Sequence, residues 1–478
     1  MRKISALIVA SFMAAAAFAQ VDVTATGGVP AASYLTLKDA FDQVNLGTHT
    51  GVITIGISAN TTEAASAVLN ASGSGAASYT SFTITPTGGA ARTISGNVAG
   101  HLVDLNGASN VTIDGLNTGG NTLEISNTNT GSGSSTIRFI ADASNNTITN
   151  CIITGSAGSA LTSGFGVIYF ATGTTTGNDN NTISSCNIGP AGTNLPIAGI
   201  YSFGTSTAID NSGITISNNR IFDYFNAGGA SNGMNINTGN SGWTINGNSF
   251  YQTATRTYTT ANTHNGIVIT SGSGYTITGN FIGGNTAGAG GTPYAMAGTI
   301  ATRFVGINVA AGTTAAVNSI QGNTIANITL NTSSGATTTN GIICGINMTA
   351  GNFNVGNISG NTIGATSGVD NIRATSTTTG GLVVGINSST TGTVTIQNNT
   401  IGALTSSGVT AAIAGSITGV NISGAAAAVT ITGNTIGNAT VNNMRGGTSG
   451  LTTGSSLVSG INLPSTPTTA TITNNTIQ

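Results

Sequence analysis

The chain has 478 residues, of which 71 are glycine, 38% are hydrophobic and only 5% are charged. So little charge excludes a long helix or coiled coil rich in Ala, Glu, Lys and Leu, and equally a disordered polyelectrolyte. Ten Lys and Arg against twelve Asp and Glu give a net charge of −2, without the basic patch a nucleic-acid binder needs to neutralise phosphates.

Residues 1–19 open with Arg2 and Lys3, run apolar from Ile4 to Phe18 and close on Ala17-Phe18-Ala19. This small-x-small pattern after an apolar run predicts a signal peptide and export, with Gln20 as the first mature residue. The run of about 15 residues is short of the roughly 20 that span a bilayer. No later segment is more apolar, so no membrane span is expected, and three cysteines are too few for a disulfide scaffold.

The next stretch predicts a short amphipathic helix. Leu37, Ala40, Phe41 and Val44 fall on one face, Thr36 stands at the N-cap and Asp39 near the positive end. Such a helix suits the cap of a solenoid, whose terminal strands would otherwise offer open edges. Strands are expected at 52–57, 81–86 and 101–107.

From there one motif recurs. Aligned on an isoleucine, its copies centre on Ile113, Ile148, Ile183, Ile216, Ile245, Ile277, Ile320, Ile358, Ile396, Ile431 and Ile472. Eleven copies spaced 29 to 43 residues apart predict a solenoid with loops of variable length. Polar neighbours on both sides of the anchor give the period-2 pattern of a strand. Two residues on, ten copies carry Gly or Asn, among them Gly115, Asn150, Gly322, Gly360 and Asn474, so a left-handed bend is expected there. Five residues on, another apolar residue, such as Ile153, Phe250 or Ile477, starts the next inward-facing strand.

Three residues after the anchor, the eight later copies carry Asn219, Asn248, Asn280, Asn323, Asn361, Asn399, Asn434 and Asn475. Coils stacked about 4.8 Å apart would let these amides form an internal ladder, each supplying its neighbour's hydrogen bond. Cys151 and Cys186 hold the same rung in the two preceding copies. Their stacking is compatible with a disulfide and equally with two thiols packed as small hydrophobes. A second motif precedes most copies by 10 to 16 residues, as in VGINVA at Ile307, CGINMT at Ile346 and SGINLP at Ile461.

These two motifs resemble those of the right-handed parallel β-helix family, whose pectate-lyase-like members have short coils, a left-handed bend and internal Asn ladders. The run YLTLKDAFDQVNLGTHTGVITI, with ARTISG and VDLNGASNVTIDG after it, resembles the opening of secreted β-helix surface proteins of Bacteroidetes-type bacteria. The resemblance implies an all-β, right-handed parallel β-helix solenoid with a short N-terminal capping helix. The expected organisation is a signal peptide over 1–19, the cap helix and first strands over 20–105, and about eleven coils over 106–478. Gln478 follows inward-facing Ile477 with no cap, so the chain is expected to continue further or to associate end to end through this coil.

Polysaccharide lyases and hydrolases of this fold need clustered carboxylates with an Arg, Lys or His. Asp142 and Asp210 lie six residues before an anchor and Asp179 four before, which could align three carboxylates on one edge; Asp and Asn are also ordinary turn residues ahead of strands. His264 with Arg256 is the other conceivable acid/base pair. The last 200 residues hold only Arg303, Asp370, Arg373 and Arg445 as charged groups, too few for proton-transfer machinery or a metal cage. No metal or cofactor is expected.

Aromatic residues concentrate in the middle coils, and Tyr224, Tyr251 and Tyr258 are expected to face outward as platforms for a neutral glycan. The leading reading is a secreted, non-catalytic β-helix acting as an adhesive stalk, spacer or glycan-binding scaffold, with neutral glycans or other surface proteins as partners and no nucleic acid. The alternatives are a polysaccharide lyase or glycoside hydrolase, and an ice-binding protein using outward T-x-T pairs such as Thr147 with Thr149. Asp114, Asn246, Gln321 and Gln397 interrupt that array.

Overall fold

A computed structural model describes residues 19–158, 166–312, 316–336, 340–378, 380–448 and 455–478. All of the expected signal peptide except Ala19 lies outside the described residues. Among them, the strands form sheets of fifteen, thirteen and twelve strands, parallel apart from the first two strands of the fifteen-stranded one, with smaller parallel sheets of six and two. Each coil contributes one strand to each long sheet, so neighbours in a sheet come from successive coils: the chain is a parallel β-helix solenoid. From Arg256 onward most coils add a further strand, in the six-stranded sheet, between the second and third long sheets.

The stack begins before the first repeat, because His49–Ile57 already pairs in parallel with Tyr79–Pro86. An antiparallel pair, Val21–Gly28 with Ala31–Tyr34, closes the first edge of the fifteen-stranded sheet. The helix Leu37–Asn45 closes the other two. Thr36 Oγ1 accepts from the Asp39 amide at 3.1 Å, and Leu37, Ala40, Phe41 and Val44 are all buried. Glu63, on the edge strand of the thirteen-stranded sheet, accepts the Leu37 and Lys38 amides at 3.0 Å each. At the far end of the helix, Asn45 bonds Val68 O at 2.8 Å and the Asn70 amide at 3.0 Å, both on the edge strand of the twelve-stranded sheet.

The anchors from Ile113 to Ile431 form one buried column along the fifteen-stranded sheet, with one correction. Ile320 pairs with Val355, and Val355 with Ile396; the expected anchor Ile358 is 82% exposed. This copy has three extra residues between anchor and rung. Gln321 of the preceding coil holds the excursion, its Oε1 accepting the Ile358 and Ser359 amides at 3.1 and 3.3 Å. The bend follows suit: Gly356 has φ 79 there and Gly360 does not bend. Gly115 does not bend either, and Leu116 and Asn117 take positive φ in its place. Ser185, the copy without Gly or Asn, still adopts φ 54.

Inside the next corner, each Asn from Asn219 to Asn434 donates Nδ2 to the Oδ1 of the following rung, ending on Asn475, at 2.8–3.0 Å. Each backbone amide donates to the same oxygen at 2.9–3.0 Å, so each Oδ1 from Asn248 to Asn475 is satisfied twice. The sequence reading missed a second ladder on the twelve-stranded sheet, formed by Asn347, Asn387, Asn421 and Asn462 of the second motif, each donating to the preceding coil at 2.8–3.0 Å.

Outside the fifteen-stranded sheet, Thr112, Thr147, Thr182, Thr215, Thr244 and Thr276 stand in one unbroken column. The column beside it mixes Asp114, Thr149, Ser184, Ser217, Asn246 and Thr278, so no regular two-dimensional Thr lattice forms. At the last coil, inward-pointing Ile472 and Ile477 are 45% and 55% exposed. No helix among the described residues is long and apolar enough to cross a membrane.

Candidate functional site

The aligned carboxylates are used up in joining coils. Asp142, in the left-handed region at φ 71, accepts the Thr174, Thr175, Thr176 and Gly177 amides at 2.8–3.2 Å through Oδ1. Partial burial alone would raise its pKa, but these bonds and the Thr174 hydroxyl hold it well below the usual carboxylate range. Asp179 Oδ1 accepts the Ser212 amide at 2.8 Å and its hydroxyl at 2.9 Å, and Asp210 accepts the Ser241 hydroxyl. Each therefore clamps the following coil, and a carboxylate held this way is a poor general base.

The conceivable pair of His264 and Arg256 is likewise committed elsewhere. Arg256 ion-pairs with Asp223 and donates Nε to Gln252 Oε1 at 2.5 Å. His264 is fully buried, stacks on the Tyr258 ring at 3.6 Å between centroids, and accepts the Ser231 amide on Nδ1 at 3.0 Å. Burial lowers its pKa to about 3, so it stays neutral.

Two of the expected platforms are corrected. Tyr224 and Tyr258 are buried, and burial pushes the Tyr258 hydroxyl up to about 12. Tyr251 is half-buried, stacked on Phe222 with centroids 5.4 Å apart. Asp223, at φ 54, breaks the strand alternation just before them; Tyr224 turns inward and Phe225 is left partly exposed. Cys151 and Cys186 are free thiols, both buried. Each Sγ–H points at a backbone carbonyl, Thr149 O at 3.1 Å and Ser184 O at 3.2 Å.

A charged cluster that sequence reasoning overlooked lies on the outer face of the twelve-stranded sheet. Arg138 meets Asp104 in a bidentate pair, 2.9 Å from Nε to Oδ1 and 2.6 Å from Nη2 to Oδ2. His101 Nδ1 lies 2.7 Å from Ser135 Oγ, and burial, aided by the Arg138 charge, lowers its pKa to about 4. The only signal in the sequence is register, which sets Asp104 beside Arg138 and Arg138 beside Tyr169. Among the described residues no group of three His, Cys, Asp or Glu side chains could hold a metal.

The open site is neutral. A groove of about 590 Å³ runs between the loops of successive coils, lined by Thr130, Ser156, Thr193, Asn194, Leu195, Phe225 and Asn226. The Phe225 ring is braced from behind by the Arg256 guanidinium at 5.4 Å and the Tyr258 ring at 5.1 Å. Its amide donates to Pro196 O at 2.7 Å, while Asn226 is fixed by the Ser231 hydroxyl at 2.8 Å and by Gly158 O. The buried ion pair of Asp223 and Arg256 thus positions an apolar ring edged by hydroxyls and amides, with no charge in the groove itself.

No protein-family model matches the chain, and no curated protein matches it. Among solved structures, the Streptococcus pneumoniae surface protein and adhesin PfbA is similar at 11% identity and a TM-score of 0.35, over 92% of this chain and 95% of that one. A second structure of PfbA gives 12% and 0.39, over 88% and 95%. The Agl-KA catalytic domain gives 13% and 0.38, over 92% of this chain and 65% of the other. At this level of similarity the fold rests on the chain's own sheet topology, and nothing among these matches supports the expected kinship with Bacteroidetes-type surface proteins.

Proposed function

We propose that the chain is an exported β-helix surface protein that binds a neutral glycan in the groove headed by Phe225. The groove carries this reading: an uncharged cleft of about 590 Å³ pairs an aromatic and a Leu side chain with hydroxyls and amides, the chemistry that grips a sugar's C–H face and its hydroxyls. The apolar leader after Arg2 and Lys3 supports export. The test is a neutral glycan array probed with wild type and Phe225→Ala. Wild type should bind at least one glycan, and the variant should bind it tenfold or more weakly with unchanged melting temperature; equal binding by the two proteins overturns the reading.

The competing reading, a polysaccharide lyase or hydrolase, draws on the cluster of His101, Asp104 and Arg138. It is favoured over binding alone if reducing or unsaturated ends accumulate from a glycan panel and His101→Ala abolishes them.

A further inference from the structure

Strand alternation on the six-stranded sheet turns one cation, Arg373, outward. In Ile372–Ser376, Ile372, Ala374 and Ser376 point into the solenoid while Arg373 and Thr375 point out. Arg373 stands beside Thr329 and Thr405 on the flanking strands, and Thr375 beside Asn331 and Ser407. The neighbouring charged residues in the sequence are already engaged. Asp370 takes the Arg445 guanidinium at 3.0 Å and the Thr405 hydroxyl at 2.5 Å, and Arg303 donates to Gly341 O at 2.7 Å and to Asn340. Among the described residues the Arg373 side chain has neither ion pair nor hydrogen bond, and the residue is exposed. It lies in a groove of about 550 Å³ whose walls carry Thr299, Thr329, Thr375 and Thr377 hydroxyls and the Asn331 amide.

We propose that this groove is a second saccharide site, separate from the neutral one at Phe225, that takes a sugar bearing a carboxylate or sulfate group. A guanidinium presents a planar fork that matches two oxygens of either anion, and the hydroxyls and amide beside it match the sugar's own hydroxyls. No unpaired carboxylate is at hand to compete for the guanidinium, since Asp370 is held by Arg445 and Thr405.

The experiment is calorimetric titration of the whole protein with three tetrasaccharides of one sugar type: neutral, uronate-containing and sulfated. One or both anionic probes should bind at least tenfold more tightly than the neutral one, and added salt should weaken that binding. Which of them binds decides between carboxylate and sulfate. Arg373→Gln should lose tenfold or more of this affinity, Arg373→Lys should keep part of it, and neither should shift the melting temperature. Phe225→Ala should leave it intact, which separates this site from the proposed neutral groove. Equal binding by wild type and Arg373→Gln, or no preference for either anionic probe, overturns the proposal.

Discussion

Asn361 and Asn387 donate in opposite directions along the solenoid: Asn361 Nδ2 reaches Asn399 Oδ1 of the following coil at 2.8 Å, whereas Asn387 Nδ2 reaches Asn347 Oδ1 of the preceding coil at 2.8 Å. The two amide columns therefore oppose their dipoles, and each locks the spacing of successive coils. Replacing Asn361 by Leu removes the acceptor of the Asn323 amide and side chain and the side-chain donor to Asn399 Oδ1, leaving that oxygen only the backbone amide of residue 361. The expected cost is about 1–3 kcal/mol for the orphaned buried groups. Thr362→Ser, on the outer face, should be near neutral in the same denaturant titration. Similar losses in the two variants would show that the inner ladder does not hold the corner.

Acid should weaken the fold through buried His264 and half-buried His101. His264 and His101 are held at about 3 and about 4 by burial, against an ordinary value of 6.5, so below pH 6.5 the unfolded chain binds protons that the folded chain refuses. Stability is then complete above about pH 6.5 and falls on acidification by up to about 1.4 kcal/mol per pH unit per histidine, levelling out near the folded values. Chemical denaturation at a series of pH values checks the slope, and His264→Gln should flatten it by one proton's worth.

The cap hangs on Glu63. Glu63→Ala leaves the Leu37 and Lys38 amides without their acceptor, at a cost of about 1–3 kcal/mol. Deleting residues 34–48 should go further, uncovering the edge strands Thr61–Glu63 and Ala67–Asn70 and driving aggregation. Light scattering distinguishes these outcomes, and a deletion variant that stayed monomeric and equally stable would remove the capping role.

The solenoid, its strand alternation and its capping helix are legible in the chain directly, because each depends on residues a few positions apart. Polar residues around an inward Ile, or Leu37, Ala40, Phe41 and Val44 on one helical face, declare their direction locally. What faces what across coils was decided only by the tertiary structure. Ile358 carries the better anchor motif, yet Val355 is packed between Ile320 and Ile396, because three extra residues and the Gln321 side chain of another coil carry Ile358 outward. One left-handed residue, Asp223, exchanged the roles of Tyr224 and Phe225. Asp142, Asp179 and Asp210 look like free carboxylates until the loop of the next coil arrives to claim each of them. Among the described residues the Arg373 side chain has no partner, while Asp370 turns to Arg445, 75 residues away in the chain. Partners across coils are set by loop lengths and by single bends that invert a side chain's face, and the repeat motif encodes neither.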